Sequence, residues 1–259
     1  TIVCPPNQSQ LADANCEFLL NSYAFMATAD DNCDANVIVT QSPAAGSTQT
    51  ADIQVTLTAT DDAGNTANCT FDVIHTDLTA PSITCPSDDN VDFGVGCTFV
   101  LADYVGDETT SDNCDATVTV TQSPAATTSH SGTTTVTLTA SDDDGNQSTC
   151  TFDVIPEDNT DPTISCPADQ VVSSSIISGN CVFIIPDLTG TAVVADNCDP
   201  TPTVTQAPGV GNTITANTTI TLTAEDDNNN TADCTFDLIL NDDADPTITC
   251  PGDFTVEVD

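Results

Sequence analysis

Four cysteines recur three times along this chain of 259 residues with nearly the same spacing. Successive separations are 12, 17 and 36 positions in the first two copies and 15, 17 and 36 in the third. A period of 81 to 84 residues predicts tandem domains of one fold, at residues 1–78, 79–159 and 160–243, with 244–259 as the first strand of a fourth. The cysteines of the three copies are Cys4, Cys16, Cys33 and Cys69; Cys85, Cys97, Cys114 and Cys150; and Cys166, Cys181, Cys198 and Cys234.

An even number of cysteines in each copy predicts two disulfides per domain, formed in an oxidising compartment. We therefore expect an extracellular protein. Four cysteines allow three connectivities within a copy, and spacing alone does not choose among them. The thirteenth cysteine, Cys250, belongs to the incomplete fourth copy.

The charge of the chain excludes several kinds of partner. It contains no Lys or Arg and 40 Asp and Glu residues. Binding to nucleic acid needs cationic side chains against phosphate, and an anionic membrane surface would repel this chain. No run of 18 apolar residues is present, so we expect no membrane insertion. Bound or diffuse cations must offset the negative charge.

Apolar residues alternate with Thr and Asp in short runs, which is typical of β-strands with one buried face. In the second copy the runs centre on Phe99, Val120, Leu138 and Phe152, and the cysteines share the phase of the apolar face. All four are therefore expected to point into the core. Roughly seven such strands in some 80 residues predict an all-β chain of tandem Ig-like β-sandwich domains.

Turn residues separate the last two long runs of each copy. Gly64 and Gly145 follow aspartate pairs and are expected to adopt positive φ. Asn229 stands at the same position in the third copy and tolerates the same conformation.

The phrases PTISCP, SDNCD and VTLTASDDDGNQSTCTFDV resemble the HYR (hyalin repeat) domain, an Ig-like module of cell-surface proteins. Four-cysteine versions are similar to repeats of large bacterial adhesins. The resemblance implies that the first and fourth cysteines pair, as Cys4–Cys69, Cys85–Cys150 and Cys166–Cys234. The remaining pairs would then be Cys16–Cys33, Cys97–Cys114 and Cys181–Cys198.

Carboxylates concentrate before the third cysteine, in the last hairpin turn and in the linker eight residues after the fourth cysteine. In an Ig-like sandwich these segments meet at one end, where carboxylates without a cation are costly unless a hard metal binds them. We therefore predict Ca²⁺ at the junctions, as in cadherin-like repeats; the alternative is that Asp simply favours turns. The predicted ligands are Asp31, Asp61, Asp77, Asp112, Asp142, Asp158, Asp161, Asp196, Asp226, Asp242 and Asp245.

No single site of catalytic type stands out, and we expect no enzyme activity. His75, in a linker, and His130, in a loop, have no counterparts in the other copies and are not expected to bind metal or act in catalysis. Carboxylate pairs recur in turns rather than in one pocket, and no nucleophile with a His base is evident.

Repetition without a singular site favours a structural or adhesive extracellular protein, a fibre or stalk whose partners are further repeats of the same chain or identical subunits. One alternative is an adhesion module that binds a glycan or protein through its Asp-rich loops; the third copy carries an insertion at 173–178, with Ile176 and Ile177 as a possible contact. Another is a spacer of a larger secreted enzyme.

The segment from Asp245 to Asp259 begins like the other copies and then stops. We expect the chain to be a window on a longer polypeptide whose fourth domain follows directly. The alternative is a strand donated to another subunit, which would build a fibre head to tail.

Overall fold

The structure is a computed structural model of the chain, and it describes residues 1–173, 175–177, 180–242, 245, 248–250 and 252. The chain divides into two compact units, one of residues 1–89 with 100–155 and the other of residues 90–99 with 156–259. The described residues form β-strands and two short 3₁₀ turns, at Ala24–Met26 and Thr189–Thr191. In this part of the chain no helix has the length and apolar character needed to cross a membrane.

The strands are numbered β1 to β25 in chain order. Those of the first repeat are β1 (Ile2–Val3), β2 (Gln8–Leu11), β3 (Phe18–Leu19), β4 (Thr28–Ala29), β5 (Ile38–Ser42), β6 (Thr48–Gln49), β7 (Ile53–Thr60) and β8 (Thr66–Thr76). Those of the second are β9 (Ser82–Thr84), β10 (Asp89–Asp92), β11 (Phe99–Val100), β12 (Thr109–Ser111), β13 (Thr119–Ser123), β14 (Ser129–His130), β15 (Thr134–Ser141) and β16 (Gln147–Glu157). Those of the third are β17 (Thr163–Ser165), β18 (Gln170–Ser173), β19 (Ser175–Ile177), β20 (Asn180–Ile184), β21 (Val193–Ala195), β22 (Thr203–Ala207), β23 (Thr213–Ile214), β24 (Thr218–Glu225) and β25 (Thr231–Asn241).

A four-stranded sheet forms one layer of the first repeat, in the order β2–β8–β7–β5. The edge strand β2 runs parallel to β8, and the other neighbours are antiparallel. The short pairs β1–β4 and β3–β6 supply the second layer. The third repeat repeats this plan, with the sheet β18–β25–β24–β22 and the pair β17–β21.

In the second repeat, β13, β15 and β16 form the matching antiparallel strands and β9 pairs with β12. The alternation predicted from the sequence is confirmed there, because Val136, Leu138 and Ala140 are each fully buried while the residues between them are only half-buried. Each repeat is therefore a sandwich with a thin core, and the all-β, Ig-like fold is confirmed.

The core of the first repeat shows how the two layers meet. Phe18 and Leu20, on and just after β3, pack with Val55 and Leu57 of β7 and Phe71 of β8. Cys4 and Cys69 lie against this cluster. A small apolar core is thus closed by a disulfide between its first and last strands.

The hairpin turns follow the sequence prediction. Gly64 and Gly145 have φ of 83° and 91°, and Asn229 has φ of 70°. In each turn the leading aspartate accepts hydrogen bonds from the residue four positions on, as Asp142 does from Asn146.

The structure joins the first and fourth cysteines of each repeat, the pairing that the resemblance implies. These bonds are Cys4–Cys69, Cys85–Cys150 and Cys166–Cys234.

The remaining pairing requires correction, because the second cysteine of one repeat bonds to the third cysteine of the next. The observed bonds are Cys16–Cys114 and Cys97–Cys198, in place of Cys16–Cys33, Cys97–Cys114 and Cys181–Cys198. Cys33 and Cys250 are both exposed, and neither has a disulfide partner. The side chain of Cys181 lies outside the described residues.

The physical reason is the position of the second cysteine. Cys16 and Cys97 do not lie in strands with an inward face but in turns just before β3 and β11, with φ of 59° and 53°. A residue in such a turn can face a neighbouring repeat rather than its own core. The expectation that every cysteine points into its own core is therefore wrong for Cys16 and Cys97, for their partners Cys114 and Cys198, and for exposed Cys33.

Candidate metal centres at the repeat junctions

Two clusters of three aspartates occur, and they have the same composition. Each contains one aspartate from a linker, one from the loop before a third cysteine, and one from a hairpin turn. The first cluster is Asp77, Asp112 and Asp142, and the second is Asp158, Asp196 and Asp226. Within each cluster one carboxylate oxygen per residue lies within 4.8 Å of the others.

The first cluster lies in the unit of residues 1–89 and 100–155, where the linker after β8 meets the turn between β15 and β16. Asp77 donates its backbone N–H to Oδ2 of Asp144 (2.9 Å), and its backbone C=O accepts from Nδ2 of Asn146 (3.1 Å). Asp112 is fixed because the N–H groups of Cys114 and Asp115 donate to its Oδ1. The backbone thus holds each carboxylate in place.

The second cluster lies in the unit of residues 90–99 and 156–259 and is built in the same way. Nδ2 of Asn230 donates to the C=O of Asp158 (3.0 Å) and to Oδ2 of Asp226 (2.8 Å). Cys198 donates its N–H to Asp196 (2.9 Å). The recurring sequence therefore produces the same cluster geometry at both sites.

Burial makes these carboxylates unusual. Asp77 is 1 % exposed, Asp142 7 %, and Asp158 and Asp226 6 % each, while Asp112 and Asp196 are half-buried. Since the chain has no Lys or Arg, no cationic side chain of that kind can compensate them. Buried charges are normally paired or bound to metal, because removing them from water alone is costly.

Several oxygens in these clusters are buried without a hydrogen-bond donor. They are Oδ2 of Asp77, Oδ2 of Asp112 and Oδ1 of Asp196, together with the amide oxygens Oδ1 of the adjacent Asn113 and Asn197. Hard cations such as Ca²⁺ take carboxylate and amide oxygens as ligands. The donor set of both clusters therefore fits a hard divalent cation.

Two carboxyl groups in or beside the clusters have shifted pKa values. The pKa of Asp115 is raised and that of Asp226 is lowered. Burial raises the pKa of Asp115; the N–H of Asp143 opposes this, and the charges of Asp143 and Asp112 raise it further. Burial also acts to raise the pKa of Asp226, but the hydrogen bonds from Asn230, Asn228 and Asn229 together outweigh it, and the pKa lies below its usual value. Asp226 thus stays ionised and available as a ligand.

The other predicted ligands are not brought into a three-carboxylate cluster among the described residues. Asp31 and Asp61 line one surface pocket of the first repeat. Asp161, Asp242 and Asp245 are exposed. The insertion at 173–178 falls partly outside the described residues, as do the side chains of Ile176 and Ile177.

Sequence reasoning missed the asparagines beside the clusters. Nδ2 of Asn113 donates to the C=O of Asp13 (3.3 Å), and Nδ2 of Asn197 donates to the C=O of Gly94 (3.4 Å). The available signal was the recurrence of Asn directly before the third cysteine, at Asn32, Asn113 and Asn197.

The two histidines lie in strands rather than in a linker and a loop. His75 belongs to β8, and its Nε2 is 3.6 Å from Sγ of Cys16. His75, Cys16 and Cys114 have potential ligand atoms within 4.8 Å of one another, but the two sulfurs form a disulfide and offer no thiolate to a metal. His130 ends β14.

Several solved structures of multidomain proteins resemble the chain at low identity. Immunoglobulin domains I67–I69 of titin, in an E-to-A mutated variant, share 9 % identity, with a TM-score of 0.44 over 93 % of this chain and 98 % of that one. Immunoglobulin domains 1–5 of Sidekick-1 share 11 %, with a TM-score of 0.40 over 93 % and 59 %. The PcdhgB3 EC1-4 structure shares 14 %, with a TM-score of 0.34 over 93 % and 75 %.

No curated protein has a significant sequence match to this chain. A sequence profile of the HYR domain, in contrast, matches it twice, at residues 1–74 and 76–155. The two matches together cover more than half of the chain and contain two of the three phrases that carry the resemblance, SDNCD and VTLTASDDDGNQSTCTFDV. The chain therefore belongs to the HYR domain family.

Proposed function

We propose that this chain is a structural and adhesive part of an extracellular fibre or stalk, in which Ca²⁺ and disulfides stiffen the junctions between HYR repeats. The observation that carries the proposal is a cluster of three aspartates at each of two junctions, two of them buried and one half-buried, with oxygens that lack hydrogen-bond donors. The division into repeats at 1–78, 79–159 and 160–243 is part of the same proposal.

Asp77 and Asp112, with Asp142, would hold the ion at the first junction, and Asp158, Asp196 and Asp226 at the second. When bound, the ion supplies positive charge that neutralises buried carboxylates. The aspartates themselves provide the connection that resists bending. They tie a linker to the loop and the hairpin of the following repeat, so that bending at the linker would require breaking the cluster.

The test compares thermal unfolding and small-angle scattering in excess Ca²⁺ and in excess EDTA. Extracellular Ca²⁺ modules bind with Kd of about 10⁻⁴–10⁻³ M, so a concentration ~10 to 100 times Kd stabilises each site by roughly 1.4 to 2.7 kcal/mol. We expect a higher Tm and a narrower distribution of chain dimensions with Ca²⁺.

The variant Asp77→Asn sharpens the test. The amide keeps the oxygen that accepts from the N–H of Thr79 (2.9 Å) and replaces the oxygen that lacks a donor. Without Ca²⁺ the variant should be at least as stable as the parent, since a buried charge is gone; with Ca²⁺ it should lose the stabilisation of the first junction.

Asp233→Asn is the matched control, because Asp233 is exposed on β25 and belongs to neither cluster. It should respond to Ca²⁺ as the parent does. Identical unfolding of the parent protein in Ca²⁺ and EDTA would refute the metal function and leave turn formation as the role of these aspartates.

A further inference from the structure

The first repeat carries an exposed aromatic side chain that its fold does not require. Phe25 lies in the 3₁₀ turn Ala24–Met26 and is 79 % exposed. Counted from the second cysteine of each copy, Gly106 and Gly190 occupy the same position in the second and third repeats. The third repeat forms the same 3₁₀ turn, Thr189–Thr191, around its glycine. The turn therefore forms without an aromatic residue, and the fold does not explain the phenyl ring.

Two glutamine side chains hold the segment that carries Phe25. Oε1 of Gln41 accepts from the N–H of Tyr23 (2.7 Å), and Nε2 of Gln41 donates to the C=O of Asn21 (3.0 Å). Oε1 of Gln10 accepts from the N–H of Asn21 (3.1 Å) and from the hydroxyl of Tyr23 (3.0 Å). The ring of Tyr23 is itself buried. The segment is thus fixed in place before a ligand arrives, which lowers the entropy cost of binding.

Phe25 stands beside a surface pocket of about 350 Å³, a size that is usual for small-molecule sites. Met26, which is 39 % exposed, adds a second apolar surface to the lining. The polar part of the lining consists of uncharged amide and hydroxyl side chains, those of Gln8, Ser9, Asn21 and Ser22. No carboxylate is among the described residues that line this pocket, although the chain has a formal net charge of −40.

Each part of this lining suits one part of a neutral sugar. The face of an aromatic ring is negative, so it attracts the weakly positive C–H groups on the flat side of a pyranose ring. Amide and hydroxyl groups both donate and accept hydrogen bonds, as sugar hydroxyls do. The negative charge of the chain repels anionic sugars, and the lining offers no carboxylate to pair with a cationic ligand. The pocket therefore favours an uncharged, polar ligand with one apolar face.

The pocket lies apart from the surface that joins the first two repeats. That surface consists of Asp13, Cys16 and Asp77 on the first repeat, and residues 113–114 and 144–146 on the second. Positions 21–26 of the first repeat correspond to 102–107 of the second. The hydrogen bonds described for 102–107 all stay within the second repeat. A repeat attached before the first one in the same way would therefore leave the pocket open.

We propose that this pocket binds a neutral glycan, whose sugar ring stacks on Phe25 while its hydroxyl groups hydrogen-bond to the amide and hydroxyl side chains around it. A purely apolar partner would use Phe25 and Met26 but leave that polar lining without hydrogen-bond partners. The site is separate from the Asp-rich loops, and no carboxylate lines it. Binding therefore does not rest on the proposed Ca²⁺ function.

The test applies the full chain to an array of immobilised oligosaccharides. Its neutral members end in glucose, galactose, mannose or an N-acetylhexosamine, and its acidic members end in sialic or uronic acid. We expect binding to neutral members and none to acidic ones. Titration calorimetry with the best neutral binder then gives the Kd of the parent chain. An array on which no neutral member binds above background would overturn the proposal.

Phe25→Gly introduces the residue that the other two repeats have, so the fold should survive and the circular dichroism and Tm should stay unchanged. We expect it to weaken binding by at least about tenfold, because the stacking surface is lost. Phe25→Tyr keeps an aromatic face and should bind as the parent does. Val95→Ala is the matched control, since Val95 is 95 % exposed and lies outside the pocket; it should leave the Kd unchanged.

Three other results would overturn the proposal. Binding that survives in Phe25→Gly, or that is confined to acidic glycans, would place recognition elsewhere on the chain. Loss of binding in excess EDTA would assign the glycan to the Asp-rich loops. Self-association of the parent in sedimentation, abolished by Phe25→Gly and unaffected by sugar, would make the ring a contact between copies of the chain. Neutral-glycan binding that persists in EDTA supports the site even if Ca²⁺ leaves the Tm of the parent unchanged.

Discussion

The hydroxyl of Tyr104 is held at the edge of the core of the second repeat. It donates to Oδ2 of Asp89 (2.8 Å), and its ring meets the ring of Phe152 edge to face at 4.9 Å. Burial, then the hydrogen bond and the charge of Asp89, raise the pKa of Tyr104 to about 12. A neutral phenol is thus part of the folded core.

This shift predicts the alkaline limit of the fold. The folded pKa lies above the unfolded value of about 10, so the contribution of Tyr104 to stability is complete below pH ~10 and is lost as the pH rises through about 12. The measurement is the tyrosinate absorbance, which is clean because the chain has two Tyr and no Trp.

Tyr104→Phe assigns the signal, and the chain unfolded in urea gives the reference titration. In the folded protein neither tyrosine should ionise near its usual pKa, because burial raises the pKa of Tyr23 as well. Ionisation at the reference pH with unchanged circular dichroism would contradict the assignment.

At the scale of strands and turns, most of the structure could be predicted from the sequence, because its determinants are local. The period of two places Leu57, Leu138 and Leu222 inward, and all three are fully buried. The turn residues Gly145 and Asn229 adopt the positive φ that their chemistry allows. The second cysteines were misassigned because Cys16 and Cys97 continue the alternating pattern in sequence but lie in turns.

The thin core predicts a large effect for a single truncation. Leu138 on β15 is fully buried, and Leu138→Ala removes three carbons and leaves a cavity. We expect the unfolding free energy to fall by about 2–5 kcal/mol, measured by denaturant unfolding.

Val100→Ala is the control, since Val100 is 66 % exposed and its truncation should change the unfolding free energy by less than about 0.5 kcal/mol. Equal effects of the two substitutions would mean that the second repeat does not depend on this core.

At the scale of the whole molecule, the disulfides follow two rules that local pattern cannot distinguish. Bonds from first to fourth cysteine close each repeat, whereas Cys16–Cys114 and Cys97–Cys198 join successive repeats. The aspartate clusters could be anticipated because an Ig-like sandwich brings those loops to one end. The disulfides between repeats could not be anticipated, because the spacing of the cysteines is equally compatible with disulfides inside each copy.

The connectivity between repeats can be decided by the thiols that each substitution exposes. In Cys114→Ser the thiol of Cys16 loses its partner and should become open to alkylation, and the unfolding free energy should fall by roughly 3 kcal/mol with the loss of a long-range cross-link. In Cys33→Ser no disulfide is lost, so Cys16 should stay protected and stability should change by less than about 0.5 kcal/mol. Mass spectrometry after alkylation under native and then denaturing conditions reads both results. Alkylation of Cys16 in Cys33→Ser, together with its protection in Cys114→Ser, would restore a bond inside the first repeat and remove the basis for a covalent chain of repeats.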